Sequence, residues 1–222
     1  MPRRGATLDP EAAVRERYER AAKARDAKLC CPVSYDPKYL AVIPEEILEK
    51  DYGCGDPSRY VQPGDTVLDL GSGGGKICYI AAQIVGEQGH VIGVDFNPEM
   101  LALARKHRLQ VAEALGYDNV EFHRARIQDL ALPITRRTIR ALLGVDAYLK
   151  ANPVRSSEDL RRFEAFEARL RQAAPVIPDE SVDVIISNCV LNLVREEDRE
   201  QLFREMFRVL KRGGRVDRKS VV

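Results

Sequence analysis

From Asp65 onward, short aliphatic runs alternate with longer segments whose apolar residues recur at helical spacing. Thr66 to Leu70 is a run of the first kind, bounded by Gly64-Asp65 and by glycines, and it predicts a strand buried on both faces of a parallel sheet. The same pattern predicts a helix from about Ile77 to Val85, a strand from Val91 to Asp95, a helix from Pro98 to Leu115 and a strand from Val120 to His123. After an interruption come a strand from Val182 to Ser187 and a helix from Glu196 to Lys211, closed by Gly213-Gly214. This order predicts an α/β fold built on a doubly wound, Rossmann-like, mostly parallel sheet.

The interruption runs for about forty residues, long for a loop inside a compact domain. Leu160, Phe163, Phe166 and Leu170 fall at helical spacing behind Ser157, a candidate cap, and Ile139, Leu142 and Leu143 suggest a shorter helix before them. Residues 133–175 therefore read as a helical insertion before the fourth strand, either a lid or a hairpin that only packs on the sheet. Ahead of the alternation, Asp9-Pro10-Glu11 has the residues of a helix start and predicts a charged helix to about Lys28, and Ile43 to Asp51 predicts a short one. Residues 1–62 then form a helical cap on a domain spanning 63–216. Beyond Val216, Asp217-Arg218-Lys219-Ser220-Val221-Val222 is too charged for the centre of a sheet and reads like a translated sequencing adapter. We expect 217–222 to be a non-native tail, the last strands to be missing, and the fourth strand to have an unpaired edge.

At 222 residues the chain suits one such domain with additions. Its formal net charge is +1, from 35 basic and 34 acidic side chains, so no overall field draws it to nucleic acid or a membrane surface. A small molecule is the expected partner. No apolar run approaches the roughly 18 residues that a spanning helix needs. We expect a cytoplasmic protein whose five cysteines are reduced.

The chemistry concentrates after the first strand, where Val67-Leu68-Asp69-Leu70 runs into Gly71-Ser72-Gly73-Gly74-Gly75. Glycines at Gly71, Gly73 and Gly75 let the backbone turn sharply and let a ligand approach without meeting a β-carbon. The helix behind them aims unpaired N–H groups at that ligand, and Asp95, ending the second strand, suits the hydroxyls of a ribose. A dinucleotide fingerprint places Gly or Ala at the sixth position of G-x-G-x-x-G, but here that position is Lys76. The G-x-G-x-G turn after V-L-D-L instead resembles motif I of the class I S-adenosylmethionine-dependent methyltransferases, and this resemblance implies S-adenosylmethionine as cofactor.

Ligands in open α/β sheets lie beyond the carboxyl ends of the strands, which puts Cys189, just after the fourth strand, at the mouth of that crevice. Cys54 in a glycine-flanked loop and Cys30 and Cys31 in another can fold over the same mouth, whereas Cys78 among Ile77, Tyr79 and Ile80 reads as a core residue. Structural zinc is the competing reading of these thiols, but no C-x-x-C pair is present. His90, His107 and His123 share no spacing and read as structural or exposed. Four segments together resemble the arsenite methyltransferases: Ile43-Pro44-Glu45-Glu46 through Tyr52-Gly53-Cys54-Gly55, the V-L-D-L-G motif, Gly89-His90-Val91-Ile92-Gly93-Val94-Asp95, and Ser187-Asn188-Cys189-Val190-Leu191-Asn192-Leu193.

That resemblance implies methyl transfer to thiolate-bound trivalent arsenic, with a thiol reductant as partner. It makes Cys54 and Cys189 arsenic-binding catalytic thiolates and Cys31 or Cys30 the thiol that exchanges with them. It lays Tyr18 against the cofactor and Ile127 on the adenine, with Asp69, Gly71, Gly73, Asp95, Phe96 and Asn188 as further cofactor contacts. Ser72 stands where the family usually has Cys, and Lys76-Ile77 where it has Arg-Asp; the insertion is larger than the family's connection, and the family's C-terminal half is absent. Two other readings share these residues: a methyltransferase acting on a small organic acceptor, and an inactive cofactor-binding fragment.

Overall fold

The computed structural model describes residues 35–50, 55–134, 144–188 and 190–219. The expected helix before Lys28 and the one around Ile139, Leu142 and Leu143 lie outside them. The aliphatic run forms strand β1 (Thr66–Leu70), in which Val67, Leu68 and Leu70 are fully buried. Each such side chain contributes about 1.5–3 kcal/mol relative to exposure. Helix α3 (Lys76–Val85), β2 (His90–Asp95), α4 (Pro98–Leu115) and β3 (Val120–Arg124) follow, and two short helices, α1 (Pro37–Leu40) and α2 (Glu45–Glu49), precede β1. Asn97 caps α4 by accepting from the backbone of Glu99 and Met100, with Pro98 at the first helical position. Beyond the insertion helices α5 (Val145–Ala151) and α6 (Ser157–Ala173) come β4 (Val182–Asn188), α7 (Glu196–Val209) and β5 (Leu210–Lys219).

The sheet has five strands in the order β3-β2-β1-β4-β5, and every neighbouring pair is parallel. Because side chains alternate across a strand, the core is split in two. Val67, Val91, Val184 and Ile186 face α3, α4 and the cap residues Ile43 and Ile47. Leu68, Leu70, Ile92 and Ile185 face α7 together with Leu130 and Ile177. The cap is also held by charge: Glu46 on α2 accepts from Lys106 Nζ at 2.6 Å and lies 2.7 Å from His107 Nε2, both on α4.

Two expectations about the C-terminal stretch are corrected. The last helix stops at Val209 rather than Lys211, and the chain turns directly into β5. Strand β4 is paired on both sides, since β5 runs beside it from Val184↔Arg215 to Asn188↔Lys219. Asp217, Arg218 and Lys219 therefore belong to a strand. The stretch is, as its charge suggests, not at the centre of the sheet: β5 lies at the end of the strand order, where a strand with a single neighbour tolerates charge.

The insertion is helical, as its spacing predicts, but α6 is capped by Ser156 rather than Ser157. Ser156 Oγ accepts from Asp159 N at 3.1 Å while Asp159 Oδ2 accepts from Ser156 Oγ at 2.7 Å, a reciprocal cap. Tyr148 of α5 stacks on Phe166 of α6 with ring centroids 4.0 Å apart. Only Leu170 of α6 is buried, and nothing in α5 is. At the base, Val176 N donates to Ala131 O at 3.1 Å and Ile177 N to Leu130 O at 2.9 Å. Arg171 pairs with the buried Asp129 at 2.8 Å. The two helices thus stand on the domain as an arm joined at its foot.

Candidate functional site

Strand order reverses between β1 and β4, and the glycine turn leaves the carboxyl end of β1 at this switch point, where open α/β sheets hold ligands. Gly71 and Ser72 both donate to Val94 O, at 2.8 and 3.1 Å, so the turn is tied to β2. Gly71 is required twice over: its φ is +79°, and a Cβ there would stand 2.4 Å from Val190 Cγ2. The turn therefore packs directly on the segment that follows Cys189 in the chain. At Gly75, with φ +87°, a Cβ would meet Phe122 Cζ at 2.8 Å and Ala104 at 3.1 Å. The close packing that a dinucleotide fingerprint assigns to its sixth position is made here at the fifth, which frees the sixth for Lys76.

Asp95 sits where the motif predicts. Its Oδ2 accepts from Gly73 N at 2.9 Å and its Oδ1 from Asn97 N at 2.7 Å. Burial pushes the Asp95 carboxyl above its ordinary value, and the N–H groups of Asn97, Gly73 and Phe96 pull against that. A carboxylate has about four acceptor sites, so with three N–H groups on it about one remains for a hydroxyl group of a ligand. Phe96, beside it, is half-buried with the guanidinium carbons of Arg124 and Arg126 at 5.5 and 5.6 Å from its ring centre. Asp69 lies lower, 2% exposed, and accepts from Cys78 Sγ at 3.3 Å. Cys78 is the core residue its sequence context predicts, with burial raising its thiol far from the thiolate form. Ile127 is buried among the aliphatic residues on the α7 side of the sheet.

The Ser72 hydroxyl is buried and has no hydrogen-bond partner among the described residues; it points towards β2, where a Cβ on Gly93 would stand 2.9 Å from it. Each histidine meets a glutamate. His107 meets Glu46, while His90 and His123 flank Glu121 at 3.2 and 3.1 Å. Cys30, Cys31, Cys54, Cys189 and Tyr18 lie outside the described residues. Among the described residues no group of His, Cys, Asp or Glu is arranged to hold a metal ion, and no helix is long and apolar enough to cross a membrane.

One contact was not foreseen. The buried carbonyl of Gly55, the residue after Cys54, accepts from Asn188 Nδ2 at 2.8 Å and from Tyr35 Oη at 2.8 Å. Asn188, the residue before Cys189, ends β4. The Tyr35 ring in turn lies 3.9 Å from Lys76 Nζ, at the start of α3. No local pattern marks Tyr35 or Gly55 for this role, because the partners are separated by 20 and 133 residues.

Models of the methyltransferase domain match residues 62–138 and 134–216. An arsenite methyltransferase of Aquipseudomonas alcaligenes is 35% identical over 191 residues, 84% of this chain and 42% of that protein. One from Halobacterium salinarum is 38% identical over 172 residues, 77% of this chain and 31% of that protein. The crystal structure of CrArsM, an arsenic (III) S-adenosylmethionine methyltransferase from Chlamydomonas reinhardtii, matches with a TM-score of 0.60 at 31% identity, covering 86% of this chain and 50% of that one. The chain thus spans half or less of the length of each of these relatives.

Proposed function

Because the chain belongs to the class I S-adenosylmethionine-dependent methyltransferases, we propose that it binds this cofactor at the glycine turn and methylates trivalent arsenic held by its own cysteine thiolates. The turn fits the cofactor on its own geometry: a side-chain-free bend, a helix start behind it, and a carboxylate at Asp95 with acceptor capacity to spare. In this reading Asp95 takes a ribose hydroxyl, Gly71 and Gly73 shape the bend, and Phe96, Ile127 and Asn188 are further cofactor contacts. When bound, S-adenosylmethionine supplies an electrophilic sulfonium methyl group.

The rest is done by the chain. Cys54, Cys189 and one of Cys30 and Cys31 bind the metalloid, a soft acceptor suited to thiolates. Arsenic keeps a lone pair once three sulfurs hold it, so no general base is required, and the contribution of the fold is proximity and orientation. A thiol reductant keeps the cysteines competent, and a reducing cytoplasm suits them.

The observation that carries this reading is the Asn188–Gly55 hydrogen bond, which joins the neighbours of Cys54 and Cys189 beside the glycine turn. The test is Cys54→Ser in the 222-residue chain. We expect arsenite methylation to be lost while the Kd for S-adenosylmethionine is unchanged. Methylation that survives the substitution sinks the arsenic reading and leaves a methyltransferase of a small organic acceptor.

A further inference from the structure

Arg124 ties the arm to the residue that follows Asp95. It ends β3, where its backbone lies opposite Asp95 of β2. Its side chain turns to Phe96: Nε donates to the Phe96 carbonyl at 3.2 Å, and the guanidinium carbon lies 5.5 Å from the centre of the Phe96 ring. The same guanidinium donates through Nη1 to Asp146 Oδ2, on α5, at 3.1 Å. The main chain makes the same connection, since Ile134 N donates to Arg124 O at 3.3 Å and Asp146 N to Ile134 O at 3.2 Å. The Arg124 side chain is 22% exposed and that of Asp146 44%, so the pair is within reach of salt without being fully solvated. Strand β3 is held by its own pairing with β2, so its place in the sheet does not depend on this ion pair.

Resting on the function proposed above, in which Phe96 lies against the cofactor, we propose that Arg124 is a positioning residue of the cofactor site and that the arm sets it through Asp146. An arginine side chain gives up much rotamer freedom when it is held, so each contact that fixes the guanidinium lowers the cost of the others. With Asp146 in place, the guanidinium is ordered against Phe96 before S-adenosylmethionine arrives. With the cofactor in place, Phe96 and Arg124 are ordered, and the foot of the arm is held more firmly. The coupling is reciprocal by thermodynamic necessity: whatever factor the pair adds to cofactor affinity, the cofactor adds to the closure of the arm.

Two measurements on the 222-residue chain read the two sides of this cycle. One is the Kd of S-adenosylmethionine by calorimetry; the other is the rate at which trypsin cleaves α6 at the exposed Arg161 and Arg162, with and without saturating cofactor. Trypsin dilute enough that the arm recloses faster than it is cut reports the open population. We expect Asp146→Asn to raise the Kd about threefold, within what a partly exposed ion pair supports. The cofactor should slow cleavage of the parent by the same factor and that of Asp146→Asn hardly at all. Asp146→Glu should restore most of both effects, and high salt should shrink them together. Glu200→Gln, which removes an exposed ion pair on α7, should leave both at the parent's values. An Asp146→Asn chain with the parent's Kd overturns the proposal, as does equal slowing in the parent and Asp146→Asn. So does a raised Kd without slowing in the parent, because Asp146 would then be merely structural. A parent that binds no S-adenosylmethionine overturns the function on which the proposal rests, whereas coupling in a chain that does not methylate arsenite overturns the arsenic reading alone.

Discussion

Ser72 offers a test of the turn that needs no ligand. Ser72 is 7% exposed, and its hydroxyl is buried with no hydrogen-bond partner among the described residues. A buried hydroxyl left unpaired costs about 1–3 kcal/mol. Ser72→Ala removes that cost and, in exchange, only the van der Waals contacts of one oxygen atom, for a net gain of about 1 kcal/mol. The backbone bond from Ser72 N to Val94 O is untouched. For a chain of this size such a gain raises Tm by about 2–4 °C, readable by circular dichroism on the unliganded protein. Ser72→Cys should move in the same direction, because a thiol asks little of its surroundings. The cofactor Kd should stay as it is, since the hydroxyl points to β2 and away from the bend. A Tm lowered by Ser72→Ala would show that the hydroxyl is satisfied, and would refute the reasoning.

Glu46 predicts an acid-dependent loss of the cap. Lys106, then His107 and Lys50, hold its carboxyl at about 2 rather than the ordinary 4.5, so its stabilisation is present above 4.5 and fades as pH falls towards 2. Glu46→Gln should lower Tm at pH 7, with a gap to the parent that closes in acid; the same gap at pH 3 and pH 7 would contradict this origin. At Gly71 a methyl group meets both a φ of +79° and Val190 Cγ2 at 2.4 Å. Gly71→Ala should therefore cost about 2 kcal/mol or more and weaken S-adenosylmethionine binding measured by calorimetry. Val190→Ala in the same chain should recover part of the loss, and a Kd unmoved by Gly71→Ala would show that the turn does not hold the cofactor.

The strands β1 to β4 were legible to within a residue: β1, β2 and β4 are largely buried aliphatic runs and β3 alternates, Val120 and Phe122 being buried, and all are short and bounded by turn residues or helices. Strand β5 was not, since Arg215, Asp217, Arg218 and Lys219 form it through backbone pairing with β4, and backbone pairing leaves no mark on side-chain composition. The cap of α6 was missed by one position because two serines adjoin, and only Asp159, three residues after Ser156, distinguishes them. Within the site, Gly71, Gly73 and Asp95 belong to one contiguous motif and could be read directly. Lys76 stood out as a departure from that motif, but its partner could not be named: Tyr35 lies far upstream, and its contacts with Lys76 and Gly55 exist only once the cap is folded onto the sheet.

The arm formed by α5 and α6 leaves and rejoins the domain through adjacent hydrogen bonds, Ala131 with Val176 and Leu130 with Ile177. Its entry and exit are therefore already closed before any of its own residues are counted. The entropy of closing a loop grows only logarithmically with length, and of α5 and α6 only Leu170 is buried, with Asp146 of α5 paired to Arg124 of β3 at 3.1 Å. A change in the arm's length therefore costs the fold little, because the strands beneath it are held in register by their own pairing. Selection can thus act on the arm without renegotiating the fold that supports it.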